Sequence, residues 1–542
     1  MASTTAPPKT PAPTGGPPAS LADEPVWRPK FNPWLVAITV TMASFMEVLD
    51  TSIANVALPH MAGSLSASED EATWVLTSYL VSNAIILPLS GWLSMLMGRK
   101  RFYMLCVLLF TLSSFLCGIA PSLGMLVLFR VIQGIGGGGL QPSEQAILAD
   151  TFAPRQRAMA FAVYGIAVVT APAIGPTLGG WITDHFTWRW IFFINIPVGI
   201  LSLFLSNFML EDPPYLVKAR ALKLKTKLRV DYWGIIFIAI GLGFMQIVLD
   251  KGEREDWFAS DFIRICTVLT VAGMAMAIYW ELKEKDPVVD LSLLKDRNFG
   301  ISALLMFMVG VVLLGSTVLI PQYMQLIMGY SATQAGLVIS PGGVLVMLLL
   351  PLVGVLLSKF EARWLIGFGL AVTSAALIHM TSFNNEMDFK YAMLSRCFQA
   401  VGLAFLFVPI NTAAYRFVPR EKNNAASGLI NLARNVGGSV GISLVTTILS
   451  RRAQFHQARL TEHATTLNPA FNQALSSAGR VFGPPGEGTA APYALLLRQL
   501  QQQAETLSYI DCFWILGVVF GVLTPLVFFM RKASPGRAAA AH

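Results

Sequence analysis

Residues 45–59 read FMEVLDTSIANVALP, and how this stretch can be folded decides the rest of the chain. It lies inside the first long apolar run, residues 34–59, yet it carries two carboxylates, Glu47 and Asp50, and an amide, Asn55. A spacing of i, i+3 puts the two acids on one face of a helix. Each ionised side chain at bilayer depth costs about 2.5–3.5 kcal/mol. Two acids in one turn therefore need a wet cavity, a partner charge or a proton, and the face is expected to form part of an ion pathway.

The composition makes the bilayer setting the right one. The chain has 542 residues, 54% hydrophobic and 13% charged, with a mean hydropathy of +0.59. A soluble chain would carry roughly 25% charged residues. This is the profile of an all-α polytopic membrane protein. The net charge of +8 is expected in loops facing the cytoplasm, not against nucleic acid. Cys106, Cys117, Cys266, Cys397 and Cys512 lie in or beside apolar segments without metal-type spacing, so they read as small packing residues. The histidines are scattered. No nucleophile–base or metal constellation appears, so neither an enzyme nor a cofactor other than a coupling proton is expected.

A span needs about 20 predominantly apolar residues. On that rule the sequence predicts fourteen helices, near 34–59, 73–97, 101–120, 124–148, 158–182, 189–210, 232–250, 262–281, 299–321, 332–358, 362–381, 391–415, 424–450 and 508–531. The even number places both ends on one side. The N-terminal tail, the even-numbered loops and the C-terminal tail hold 26 Lys and Arg, against five in the short odd-numbered loops. Both termini are therefore expected in the cytoplasm of a cell (inner) membrane protein.

The expected organisation is a disordered tail, 1–32; a six-helix bundle, 33–210; a basic loop, 211–230; two inserted helices, 231–282; a linker, 283–298; a second bundle, 299–531; and a tail, 532–542. The first apolar run is longer than the ~7–15-residue core of a signal peptide, so it is expected to stay as a membrane helix. The basic loop interleaves six cations with Leu and Val, as a headgroup-binding amphipathic segment or a solvated tether would. Loop 451–507, within the second bundle, is expected on the opposite, periplasmic side. It contains a helical-looking stretch at 493–507 and is either a docking surface or a disordered insertion.

The chain also repeats itself. FRVIQGIG starting at Phe129 and SRCFQAVG starting at Ser395 place Arg130, Gln133 and Gly136 against Arg396, Gln399 and Gly402 at identical spacing. Pro59 and Pro321 similarly close the first and ninth spans. Two six-helix halves with two helices inserted between them fit this pattern.

At a rise of about 1.5 Å per residue, Asp50 lies roughly 13 Å and Arg130 roughly 9 Å below the same surface. They can meet if the first and fourth spans are neighbours, with Glu47 about one turn deeper. The pair reads either as a static lock between helices or as a titratable site coupled through both acids. Glu47, Asn55, Gln133, Arg396, Gln399 and Arg434 are expected to line a central cavity. GIGGGG, 134–139, formally matches a dinucleotide fingerprint, but it sits inside a membrane helix with no strand before it. Its glycines are expected to admit close neighbours. No GxxxxGK[ST] occurs, so ATP is not the evident driver. In APAIGPTLGG, 171–180, Pro172 and Pro176 should bend the fifth span while Gly175, Gly179 and Gly180 remove bulk. Gly91, Gly98, Arg99 and Lys100 form a tight cationic turn that orients a helix pair or acts as a latch.

These residues carry a resemblance. The chain resembles the fourteen-helix drug:proton antiporter branch of the major facilitator superfamily, and most of all the EmrB type of inner-membrane pump, across residues 33–531. LDTSIANVALP matches the branch's first-helix motif, and Arg130 with Gln133 and Gly134 its fourth-helix motif. Gly175-Pro176 with Gly179-Gly180 matches the antiporter motif that separates exporters from importers. Gly91, Gly98, Arg99 and Lys100 match the loop motif, except that Met95 stands where the superfamily pattern has an aspartate. Any charge relay through that acid is absent or rerouted. Glu144 has no counterpart in the general pattern and is expected to line the cytoplasmic vestibule or lie near the interface.

The resemblance implies proton-driven export of hydrophobic or amphipathic small molecules by alternating access. It also implies a periplasmic adaptor and an outer-membrane channel as partners. A permease for a metabolite or siderophore would lack the exporter motif. A proton-conducting subunit of a larger membrane complex would carry lysines inside its spans, and these spans have none.

Overall fold

The computed structural model describes residues 29–153, 156–225, 231–284, 287–482 and 490–531. Among these the secondary structure is helical, with no strand. The fourteen long helices are α1 (Pro33–Ser64), α2 (Trp74–Met97), α3 (Arg99–Gly118), α4 (Leu123–Thr151), α5 (Arg157–His185), α6 (Asn195–Met209), α7 (Tyr232–Lys251), α8 (Asp261–Lys283), α9 (Arg297–Gln322), α10 (Ala332–Lys359), α11 (Ala362–His379), α12 (Phe389–Ala414), α13 (Asn423–Glu462) and α14 (Ala491–Leu523). Among the described residues thirteen helical segments are long and apolar enough to cross a membrane unaided, α6 counting together with the turn of helix that leads into it from Trp190. The fourteenth span, α5, is two segments, Arg157–Pro172 and Ile174–His185, bent by 45°. Pro172 removes a ladder donor and crowds the preceding turn at the site of that bend.

Start signals are local. Asn32 caps α1 by accepting from Trp34 N at 3.0 Å, and Pro33 occupies the first turn, where no amide donor is needed. Ser122 caps α4, Asp296 caps α9, and Ser331 with Gln334 forms a capping box on α10.

The repeat in the sequence is a repeat in packing. In the first half α1 packs on α5, α2 on α4, and α3 on α4 and α6; in the second α9 packs on α13, α10 on α12, and α11 on α12 and α14. The halves meet through α5 against α10 and α13 against α2, equivalent pairs under a pseudo-two-fold axis. α7 lies over the α2–α13 junction, and α8 packs on α7 with most of its surface exposed. Gly241 and Gly273 bring these two backbones into contact. The glycines of 134–139 do the same for α4, which lies between α2 and α3.

Two expected loops are built differently. α13 runs on to Glu462 rather than 450, and α14 begins at Ala491 rather than 508, so loop 451–507 is largely helical, with a further helix at Pro469–Phe482. Arg451 and Arg452 end the apolar window, but arginine is a good helix former and no Gly or Pro intervenes before Pro469. Leu475 and Ala478 of the intervening helix are buried, and that helix packs on α14. The basic loop holds a helix, Pro214–Lys225. Residues 226–230, most of the tail 1–32 (residues 1–28) and the tail 532–542 lie outside the described residues.

Candidate functional site: a buried polar network along α1 and α4

Asp50 and Arg130 meet. Arg130 NH1 donates to Asp50 Oδ2 at 2.6 Å, with the aspartate 2% and the arginine 0% exposed. Arg130 also donates from Nε to Val75 O at 3.0 Å and from NH1 to Gln133 Oε1 at 2.7 Å. Gln133 Nε2 and Asn195 Nδ2 donate to Asp50 Oδ1 at 3.1 and 2.7 Å. The carboxylate thus accepts from three side chains on two helices, while Tyr79 and Phe192 flank the guanidinium. The cage gives the Asp50 carboxylate one counter-charge and two further hydrogen-bond donors. Gln133 was legible as a neighbour of Arg130; Asn195 was not, because only the packing of α6 on α1 brings it in.

Glu47 does not share Arg130. Its Oε1 accepts from Tyr79 OH at 3.0 Å and Asn83 Nδ2 at 3.4 Å, and its Oε2 accepts from Gln141. Gln141 Oε1 accepts in turn from Arg434 of α13 and from Tyr164 OH at 3.0 Å. One turn of helix is enough to separate the acids: Asp50 belongs to a network inside the first half, whereas Glu47 reaches Arg434 in the second. The two acids thus share one helix face but have separate hydrogen-bond partners, and only Asp50 bonds Arg130.

Glu144 continues the line. It is fully buried on α4, and its Oε1 accepts from Thr41 at 2.6 Å while Oε2 has no partner. That position is the interior of the first half, not a vestibule or an interface. Asn55 is exposed and donates to Thr51 O of its own helix at 3.1 Å, a bond that joins it to none of the other candidate cavity residues.

Arg396 and Gln399 sit on α12 as Arg130 and Gln133 do on α4, with Arg396 NH1 donating to Gln399 Oε1 at 2.5 Å and to Ser316 Oγ at 3.2 Å. The bend in α5 brings Gly175 and Gly179 against Ser52 and Ile53 of α1, with Pro176 between them, whereas Gly180 faces open space and removes no needed bulk.

The bundle is tied together at the end where α1 begins, hereafter the basic end. Asn423 donates to Asp150 Oδ1 at 2.8 Å, Asn424 to Ser94 at 2.8 Å and Asn431 to Gln145 at 2.9 Å. Asp150 also pairs with Arg99 and accepts from Tyr215 OH at 2.6 Å. Burial first, then the neighbouring Asp150 carboxylate, pushes the Tyr215 phenol up, which keeps it a donor. Arg99 therefore finds its acid on α4 rather than at position 95, so the charge pairing is rerouted around Met95. Gly98 has φ +88. Lys100 donates from its backbone to Asp212 Oδ1 at 2.9 Å and from Nζ to Asn207 O at 2.6 Å, and Arg220 donates to Leu96 O at 2.9 Å. The basic helix is thus strapped across the α2–α3 turn by specific bonds.

This architecture has relatives. The family profile described as Major Facilitator Superfamily matches residues 40–442. The "Multidrug export protein EmrB" of Escherichia coli strain K12 is 36% identical over 498 residues, covering 92% of this chain and 95% of that protein. The "Probable multidrug resistance protein EmrY" of the same strain is 36% identical over 499 residues, with 92% and 95% covered. Among solved structures, the proton:xylose symporter XylE superposes with a TM-score of 0.57 at 15% identity, covering 91% of this chain and 94% of that one; that likeness bears on the fold.

Proposed function

The chain belongs to the Major Facilitator Superfamily, and from that premise we propose that it exports hydrophobic or amphipathic small molecules in exchange for protons. It is a multi-pass membrane transporter and not an enzyme. The observation that carries the proton reading is the buried Asp50–Arg130 pair, whose carboxylate also accepts from Gln133 and Asn195, with Glu47 one turn away. Its 36% identical relatives, named for multidrug export, support the substrate class.

The hydrogen bonds support a mechanism for this exchange. Ionised Asp50 holds Arg130, Gln133 and Asn195, and so fixes α1 against α4 and α6. A proton on Asp50 removes the charge that Arg130 answers, and releases those helices. Ionised Glu47 holds Gln141, which holds Arg434; a proton there loosens a tie between the halves. Proton entry from outside would therefore favour parting of the basic-end contacts and a return to the substrate-accepting state, with substrate and proton alternating on the network. One charge moving through a potential of roughly 150 mV yields ~3.5 kcal/mol, enough for about a few-hundredfold concentration of substrate. Both termini in the cytoplasm is the orientation that the lysine and arginine bias supports. With that orientation the helical extensions of α13 and α14 face the periplasm, where an adaptor leading to an outer-membrane channel would dock.

The test is dye efflux in inverted vesicles under an imposed pH gradient, comparing wild type with Asp50→Asn. Transport that no longer responds to the gradient is the expected result. Transport with unchanged pH dependence would defeat the assignment of Asp50.

A further inference from the structure

The internal repeat places an arginine–glutamine pair in each half, but only one pair holds a carboxylate. In the first half Arg130 NH1 donates to Gln133 Oε1, and both residues then donate to Asp50. In the second half Arg396 NH1 donates to Gln399 Oε1 in the same way. Each arginine lies seven residues after the first residue of its helix. The offset of 266 residues that carries Arg130 onto Arg396 and Gln133 onto Gln399 carries Asp50 onto Ser316, a fully buried residue that accepts from Arg396 as Asp50 does from Arg130. A neutral hydroxyl stands where the first half has a carboxylate.

The consequences are visible in the bonding. Among the described residues no carboxylate lies within ion-pair distance of Arg396, which is 8% exposed, and its partners are the neutral Ser316 and Gln399. Gln399 is 0% exposed and its Nε2 has no partner. A buried guanidinium without a counter-charge beside an unfilled amide donor is costly to maintain. Arg396 also lines a cleft between the halves whose other walls include Val169 and Pro172 at the bend of α5, Leu313 of α9, Ile339 of α10 and Leu403 of α12. Among the described residues, the only polar side chain on that lining besides Arg396 is Thr317. In this conformation the cleft is contracted to about 10 Å³, the room of a single water, so a ligand enters when the halves part there.

We propose that Arg396 and Gln399 form a headgroup site for the carboxylate of an amphipathic substrate, whose apolar tail lies along the α5–α9–α10 cleft. The substrate's carboxylate supplies to the second half the charged acceptor that Asp50 supplies to the first. The proposal rests on the efflux reading and narrows it to anionic amphiphiles at this subsite. The planar guanidinium suits a carboxylate with two acceptor oxygens.

The test uses the full chain in phosphatidylcholine nanodiscs. Binding of dodecanoate and of dodecyltrimethylammonium, equal in chain length, is measured by scintillation proximity after subtracting empty discs. Wild type is expected to prefer dodecanoate, and Arg396→Gln to reduce the ratio of the two affinities by about tenfold or more, with Arg396→Lys retaining part of it. Ser316→Asp, which places a resident carboxylate where the hydroxyl now accepts from Arg396, is expected to abolish the preference while the protein stays monodisperse. Equal affinities in wild type, or a ratio unmoved by Arg396→Gln, would overturn the proposal. So would competition by added phosphatidylglycerol at the same site, which would make it a lipid-headgroup site. Vesicles that export no amphiphile of either charge would instead defeat the efflux reading, whereas gradient-driven export of cations without headgroup selectivity at Arg396 would defeat this inference alone.

Discussion

Gly91 offers a direct handle on the tie between the halves. It lies on α2 where α13 crosses, and a Cβ built on it falls 2.9 Å from Ala425 Cα, 3.0 Å from Ala425 N and 3.2 Å from the Asn424 carbonyl carbon. Ordinary contact begins near 3.4 Å. Gly91→Ala therefore asks two backbones to separate by about half an ångström, and backbone cannot rotate out of the way as a side chain can. Overpacking of this kind costs about 1–3 kcal/mol. The cost applies only while the halves touch at the basic end, so it acts as a differential free energy between two conformations. That corresponds to a shift of about 5–150-fold toward the state parted at that end. The assay is disulfide trapping between Ser94→Cys and Asn424→Cys, whose native side chains bond at 2.8 Å. Adding Gly91→Ala is expected to slow cross-linking by at least about fivefold. A rate that is unchanged or faster would refute the reasoning.

Other expectations follow from the same geometry. Asp50→Asn leaves Arg130 as an uncompensated buried cation and should destabilise the protein by about 3–5 kcal/mol; adding Arg130→Met should recover a large part of that, read as a non-additive double-mutant cycle of thermal stability in detergent. Gly98→Ala forces a side chain into φ +88 and within 2.8 Å of Asp212 Oδ2, an expected loss of about 1–3 kcal/mol. Gly63→Ala, which meets nothing within 4 Å, is the control and should leave the unfolding midpoint nearly unmoved. Burial opposes ionisation of Asp290, but the Lys422 ammonium at 2.6 Å and Ser292 together hold its carboxyl below 3.8. A depressed folded-state value means that its contribution is complete above pH 3.8 and is lost only as pH falls below that. Cross-linking of Asp290→Cys to Lys422→Cys cannot report this, so the check is stability of wild type against Asp290→Asn: their difference should stay flat across roughly pH 5–8.

Much of the architecture was legible because a bilayer enforces it. Apolar runs of span length and the Arg–Gln–Gly repeat were enough to lay out two halves and two inserted helices. The depth argument brought Asp50 to Arg130 because both positions are fixed by helix rise. It failed for Glu47, since being on the same face does not decide which neighbour lies opposite one turn deeper: Tyr79, Asn83 and Gln141 do. Asn195 and Asp150 carried no sequence signal of their own, and their roles exist only through the contacts of α6 with α1 and of α4 with α3 and α13. The hydropathy rule misplaced the ends of α13 and α14 because it measures fitness for lipid, and helices continue past that limit wherever nothing breaks them.

The central claim is that substrate and proton exchange on the Asp50 and Glu47 networks. It is tested most directly by adding an exported dye to the detergent-solubilised protein in weak buffer and measuring proton release with a pH indicator. Wild type is expected to release protons in proportion to the dye bound, and the double variant Asp50→Asn/Glu47→Gln to bind dye without release. Binding by wild type with no proton release, or undiminished release from the double variant, would contradict the account.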